Sequence, residues 1–284
     1  MINTIWSALQ YGFMQNALIT AVLISIACGI IGTYVVLKRI VFLSGGVAHA
    51  AYGGIGLGYL LKIPPLVSAL GFSLLASFSM AWVHRKTKER SDTIIGVMWA
   101  LGMALGIIFV DLASGYKADL MSYLFGSILA VSQLELMLMA VMDILIIILA
   151  ALFFKEFLAL SFDETFTTIR NVAVDWLYVI LVGMIGLTVV MMMRVVGLIM
   201  VIALLTIPPA ISNMFVKEMK KMMVMSILLS LVFTTSGLLV SYLIDLTSGA
   251  VIIMISGIAY LLSYVGKNLY QIFKNRQAGV EVHE

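Results

Sequence analysis

One histidine stands where the chain offers little other chemistry. His49 lies in Ser44-Gly45-Gly46-Val47-Ala48-His49-Ala50-Ala51-Tyr52-Gly53-Gly54-Ile55-Gly56-Leu57-Gly58, an apolar stretch with glycine on every turn. On a helix, residues three, four and seven apart share a face. His49 then has Gly45 and Gly46 one turn back and Tyr52, Gly53 and Gly56 ahead, a trough of missing side chains. Imidazole is a common metal ligand and loses its proton easily near neutral pH, so in such a trough it can touch a passing ion. The plainer alternative is a neutral ring bonded to a carbonyl of the next helix. Asp143, midway along another apolar run, is the second ionisable group of this kind. A charge at a bilayer centre costs about 2.5–3.5 kcal/mol on insertion scales, so Asp143 is expected to pair with a neighbouring hydroxyl or with Arg194.

Leu205-Thr206-Ile207-Pro208-Pro209-Ala210 sets two prolines inside an apolar run. Neither can donate a helical hydrogen bond, which frees the carbonyls of Leu204 and Leu205. In lipid such groups must face a cavity or another helix. Pro208 therefore lines a path or, more simply, marks a packing kink. The 20 methionines include Met191-Met192-Met193 and Met222-Met223-Met225. Thioethers suit Cu(I), but consecutive residues point around a helix instead of converging, and these read as apolar filler.

Several chemistries have no residues to perform them. The chain lacks G-x-x-x-x-G-K-[ST], so it cannot cradle ATP phosphates by that route, and it lacks H-E-x-x-H. Its three histidines, His49, His84 and His283, are too scattered for a catalytic zinc centre. No Gly-x-Ser-x-Gly element appears, and the single Cys28 excludes a disulfide framework. The chain is read as a non-enzyme.

The elements that must position His49 follow from composition. At 284 residues, 63% hydrophobic and 11% charged, with mean hydropathy +1.14, the chain is far more apolar than a soluble domain, which is about a quarter charged. An all-α, polytopic membrane helix bundle is predicted, one transmembrane domain over 1–284. A short interfacial helix is expected over 1–12, where Trp6 and Tyr11 alternate with polar residues. No cleavable signal is expected, since no Lys or Arg precedes the first apolar run. Runs near the roughly 20 residues a bilayer needs fall at 13–37, 40–61, 66–83, 93–112, 134–154, 175–193, 195–213, 222–243 and 249–265. They make nine spans, or eight, because only Arg194 and Gly197 divide the sixth from the seventh. Gly54 with Gly58 and Gly102 with Gly106 are small-xxx-small pairs that admit a close neighbour. Nine spans put all but Lys62, Lys117 and Arg194 of the 17 Lys and Arg on one side, which predicts an outside N-terminus and a cytoplasmic C-terminus. On the basic side, 155–174 is expected to hold an amphipathic helical turn beginning at Asp163 or Thr165 and ending at Asn171. Residues 266–284 read as a polar cytoplasmic tail. Phe162, Phe166 and Ile169 give the turn an apolar edge suited to a soluble partner's groove.

Four segments resemble the membrane subunits of bacterial zinc/manganese/iron uptake ABC transporters, the metal-specific relatives of the vitamin B12 type importer permeases. The glycine-rich stretch looks like that family's G-D-x-x-S-H-A-x-x-P/G-G-x-x-x, with His49-Ala50 and Gly54 in register. Ser91-Asp92-Thr93-Ile94-Ile95-Gly96 is similar to its D-T-A-I-G, Ser122-Tyr123-Leu124-Phe125-Gly126 to its S-Y-L-F-G, and Val195-Val196-Gly197-Leu198 through Ile207-Pro208-Pro209-Ala210 to its V-G-x-L…I-P-A-A. The resemblance implies a pore subunit for a divalent metal ion, zinc or manganese ahead of iron. It implies a homodimer in a bacterial or archaeal cytoplasmic membrane, an ATP-binding subunit below and an extracytoplasmic metal-binding protein above. It implies no resident cofactor, with ATP held by the partner, and no nucleic acid. His49 matches the histidine that contacts the ion in transit, with Gly45, Gly46, Gly53 and Pro208 as candidate lining. The segment holding Asp163, Glu164, Phe166, Ile169, Arg170 and Asn171 matches the coupling helix that enters the ATPase cleft, Leu160-Ser161-Phe162-Asp163 resembling its L-x-F-D start. Two departures stand out: the family's aspartate four residues before the histidine is Gly45 here, and its glycine after the coupling helix is Asn171. The rival classes are an intramembrane enzyme and a structural subunit of a larger membrane complex.

Overall fold

The computed structural model describes residues 10–86, 91–113, 126–162, 164, 167 and 173–280. Within them the chain forms α1 (Gly12–Leu37), α2 (Val41–Leu61), α3 (Pro65–Lys86), α4 (Ser91–Leu112), a 3-10 turn at Ile128–Ala130, α5 (Gln133–Leu152), α6 (Phe154–Phe162), α7 (Val174–Val196), α8 (Leu198–Phe215), α9 (Met219–Ile244) and α10 (Ser248–Val280). No strand occurs among the described residues. Eight helices, α1, α3–α5 and α7–α10, are long and apolar enough to cross a membrane. The ninth, α2, has 21 residues, but its glycines, His49 and tyrosines dilute its hydropathy.

Local chemistry sets the boundaries. α2 ends at Lys62 in the left-handed region, its N–H bonded to the Gly58 carbonyl. α3 starts at Pro65, where a missing N–H costs nothing. α5 opens with a capping box in which Ser132 Oγ accepts from the Glu135 amide at 3.3 Å and Glu135 Oε2 accepts from the Ser132 amide at 2.9 Å. Gly197 alone divides α7 from α8, at φ +81°, a conformation a side chain would strain. Hydroxyls inside the bundle bond the carbonyl one turn back, as Thr33 does to Gly29 and Thr188 to Met184, leaving little polar surface to lipid.

α1 and α7 form the buried centre, while α4, α5 and α10 are mostly exposed. Their outer faces carry Leu101 and Ile108, Ile144 and Ile148, Leu261 and Leu262, as a lipid-facing surface requires. α2 packs against α3, α4, α7 and α8.

Two expectations are corrected. α5 stops at Leu152, two residues short of the expected span. The tail expected from 266 is helical, α10 running 33 residues to Val280, because no proline follows Gly266 to break it. Of the helical turn expected from Asp163 or Thr165 to Asn171, only Glu164 and Thr167 are described, and α6 precedes it. α8 runs through the proline pair as one helix. The expected interfacial helix falls mainly on residues 1–9, outside the described set, and Gly12 already belongs to α1.

Candidate functional site

His49 sits where α2 meets α4. Its half-buried ring stacks on Trp99, centroids 3.9 Å apart and planes inclined by 14°, and its Nδ1 lies 3.1 Å from Met103 Sδ. Trp99 in turn meets Phe42, near the start of α2, at 5.8 Å. Among the described contacts the ring meets an indole and a thioether instead of the expected carbonyl. One imidazole and one thioether supply two soft-to-borderline donors, short of the three or four protein ligands that would retain a zinc ion. Among the described residues no three His, Cys, Asp or Glu converge on a common point.

The glycines around His49 divide by what they face. A Cβ on Gly45 would meet only Ile202 and Trp99, at 3.8 and 3.9 Å, so this flank of the ring has room. A Cβ on Gly46 would come within 2.6 Å of Ile95 of α4, and one on Gly53 within 2.9 Å of the Gly102 carbonyl. Gly56 lies directly against the Gly106 backbone. Gly54 faces α3 instead, where a Cβ would lie 2.7 Å from Ala69 Cα. The two small-xxx-small pairs are therefore the contacts that bring α3 and α4 onto α2. Pro208 is buried in α8, its carbonyl accepting from Ser212 Oγ at 2.9 Å. The freed Leu205 carbonyl points to α1, 2.5 Å from where a Cβ on Gly32 would stand, with the Pro209 ring beside it.

Asp143 is 2% exposed, and neither of its carboxylate oxygens has a hydrogen-bond partner among the described residues. The neighbouring hydroxyl expected for it is absent there, and the side chain of Arg194 lies outside the described set.

A second cluster gathers at one end of the bundle. Lys38, just after α1, pairs with Glu164 at 3.0 Å, and Arg85, near the end of α3, pairs with the other oxygen of Glu164 at 2.9 Å. Arg85 also meets Asp175 in the first turn of α7, and its guanidinium lies 5.7 Å from the Tyr178 ring. His84 stacks on Tyr178 at 5.6 Å. Lys38, Ile40, His84, Arg85, Glu164 and Tyr178 line a cavity of about 270 Å³. Burial acts to raise the pKa of Glu164, but Lys38 and Arg85, by hydrogen bond and by charge, outweigh it and hold the carboxyl below the usual glutamate range.

The sequence profile of the ABC 3 transport family matches residues 10–267. The chain belongs to the ABC 3 transport family. Among relatives it is 58% identical to an uncharacterised membrane protein of Synechocystis, covering 93% of this chain and 94% of that one. It is 34% identical to a probable metal transport system membrane protein of Chlamydia pneumoniae, over 87% and 86%. It is 31% identical to the manganese transport system membrane protein MntC of Listeria innocua, over 90% and 91%. Among solved structures, PsaBC from Streptococcus pneumoniae in complex with Fab matches with TM-score 0.83 and 29% identity, over 93% of this chain and 95% of that one. A putative metal-chelate type ABC transporter in an inward-facing conformation shares the fold, with TM-score 0.71 and 15% identity over 94% and 90%. As a member of this family, the chain is a multi-pass membrane protein.

Two segments that carried the resemblance to the family meet in space. Gly126, at φ +63°, packs on the Val196–Gly197 backbone, where a Cβ would lie 2.8 Å from Val196 Cα. Sequence reasoning missed Trp99 and Met103 as the partners of His49. Their signal was spacing: 99, 102, 103 and 106 form one stripe, with the glycine pair marking where α2 must lie. In the sequence, Lys38 and Arg85 show only as basic residues near the ends of apolar runs, with no signal that they meet Glu164. Of the coupling residues named from the sequence, Glu164 is described; Asp163, Phe166, Ile169, Arg170 and Asn171 lie outside the described residues.

Proposed function

We propose that this chain is the pore subunit of an ATP-driven importer of divalent transition-metal ions in a bacterial or archaeal cytoplasmic membrane. The observation that carries the reading is similarity along nearly the whole chain to a manganese transport system membrane protein within the ABC 3 transport family. Two copies enclose the path. An ATP-binding subunit docks on the side that holds Lys38, Arg85 and the end of α10, and an extracytoplasmic metal-binding protein delivers the ion on the other. The N-terminus is outside and the C-terminus in the cytoplasm, a reading supported by the distribution of Lys and Arg along the spans. No cofactor is resident; the metal is the substrate, and ATP is bound and hydrolysed by the partner.

His49 meets the ion in transit, with room for a side chain at Gly45, while Gly46, Gly53 and Pro208 shape the walls by holding helices close. Passage requires binding strong enough to enter and weak enough to leave, and few protein donors suit that. A nitrogen and a thioether sulfur favour zinc over manganese, whereas the relatives' names favour manganese, so both ions belong in the test. Asp163, Glu164, Phe166, Ile169, Arg170 and Asn171 form the coupling segment.

The test is ATP-dependent uptake of zinc and of manganese into vesicles carrying this chain, its ATP-binding subunit and its metal-binding protein. Wild type accumulates one of the ions and His49→Ala loses at least 90% of that uptake while both subunits still co-purify. Normal uptake by His49→Ala removes the histidine from the path, and no uptake of either ion by wild type overturns the importer reading. Phe166→Asp is expected to release the ATP-binding subunit, read by co-purification.

A further inference from the structure

We infer that Glu164 is a positioning residue, a clasp that ties the coupling segment, at that residue, to the ends of α1 and α3 and so carries ATPase motion to the helix that holds His49. The inference rests on the importer reading above.

The clasp has two grips. Lys38, whose side chain is 11% exposed, takes one oxygen of Glu164, and Arg85, 26% exposed, takes the other. Withdrawing the carboxylate would leave Lys38, the less exposed of the two cations, without this counter-charge, while Arg85 keeps Asp175; because Glu164 is itself partly exposed, screening keeps the cost modest. Glu164 is thereby joined to both helix ends. The first grip lies two residues from Ile40, the residue that precedes α2, and the turn between is tied back to α1 by the Ile40 amide donating to the Val35 carbonyl at 3.0 Å. The second grip is on α3. From Arg85, α3 runs along α2 with Met80 beside Gly46, and then with Phe72 beside Gly53 and Ala69 beside Gly54, the last two contacts leaving no room for a methyl group to be added. Such close-packed surfaces transmit a displacement because they cannot absorb it. Its other side is held to α7, where Ser73 Oγ donates to the Gly186 carbonyl at 3.3 Å. Both grips thus converge on α2, one at its beginning and one at Gly46, Gly53 and Gly54, on either side of His49. Arg85 also holds Asp175, which keeps the guanidinium at the junction but does not reach the coupling segment.

The experiment measures ions imported per ATP hydrolysed by the full complex in vesicles. Glu164→Gln is expected to lower that ratio at least tenfold with co-purification of the ATP-binding subunit retained, and Glu164→Asp to fall between. A ratio unchanged in an assembled Glu164→Gln complex overturns the clasp, whereas absence of uptake in wild type would overturn the importer reading instead. A second variant covers loss of assembly. Lys38→Cys with Glu164→Cys, in a Cys28→Ala background, should be uncoupled until bridged by a short bis-maleimide, and bridging should restore the ratio to within twofold of wild type. Failure of the bridge to restore it would show that the clasp must open during turnover and would overturn the proposal.

Discussion

At the scale of single residues, space separates glycines that composition makes alike. Gly45 and Gly56 lie on the same side of α2, yet at one a Cβ would make only ordinary contacts and the other touches the backbone of Gly106. Gly45→Ala should therefore leave the thermal midpoint of the detergent-purified chain nearly unchanged, since its Cβ makes ordinary contacts. Gly56→Ala forces two helix backbones apart and should destabilise by about 1–3 kcal/mol, the usual range for overpacking, seen as a lower midpoint in a fluorescence size-exclusion assay. Equal midpoints for the two variants would contradict the α2–α4 contact. That contact also explains His49: close glycines bring α4 near enough for Trp99 to lie flat on the imidazole.

At the scale of elements, the two ends of the bundle differ in what holds them. On the side of the α4–α5 and α7–α8 connections, backbone meets backbone, Gly126 against Gly197. On the opposite side, charge does the joining through Lys38, Glu164, Arg85 and Asp175. Because Glu164 ionises more readily in the folded chain than in the unfolded one, its stabilisation is complete above the ordinary glutamate value, near pH ~4.3. It is lost as pH falls through the lower folded value. Thermal midpoints measured from pH 7 down to about pH 3 should fall more steeply for wild type than for Glu164→Gln. Parallel curves would show that the two ion pairs contribute nothing to folding. Glu164 is partly exposed, at 40% of its side chain, so solvent screening keeps the difference modest.

At the scale of the whole molecule, parity and charge give one testable orientation. The ion-paired ends of α1 and α3 and the start of α7 lie together, as alternate crossing by α1–α5 and α7–α10 requires. The Lys62 turn then belongs to the other side. A maleimide that cannot cross membranes should label Lys62→Cys in intact cells and Lys274→Cys only after permeabilisation. The buried native Cys28 should give little background. The reverse pattern would invert the topology and move the docking faces of both partners. Among the described residues, apolar faces of α4, α5 and α10 point outward, and the end holding Lys38, Glu164, Arg85 and Asp175 carries the cross-bundle ion pairs.

The amino-acid sequence alone determined the class of molecule, because burying backbone in lipid leaves apolar runs of this length little choice but helices. It also determined the spans other than the last to within a few residues, since Lys38, Pro65 and Gly197 act on their own turns. The glycine pairs announced close contacts, and four motif segments pointed to the family. What a side chain meets across the bundle was decided only by tertiary packing. His49 finding Trp99 and Met103, Asp143 being buried without the expected hydroxyl, and Glu164 bridging Lys38 and Arg85 all join residues on different helices or their connections. Periodicity fixes which face of a helix a residue occupies but carries no information about which neighbour is pressed against that face.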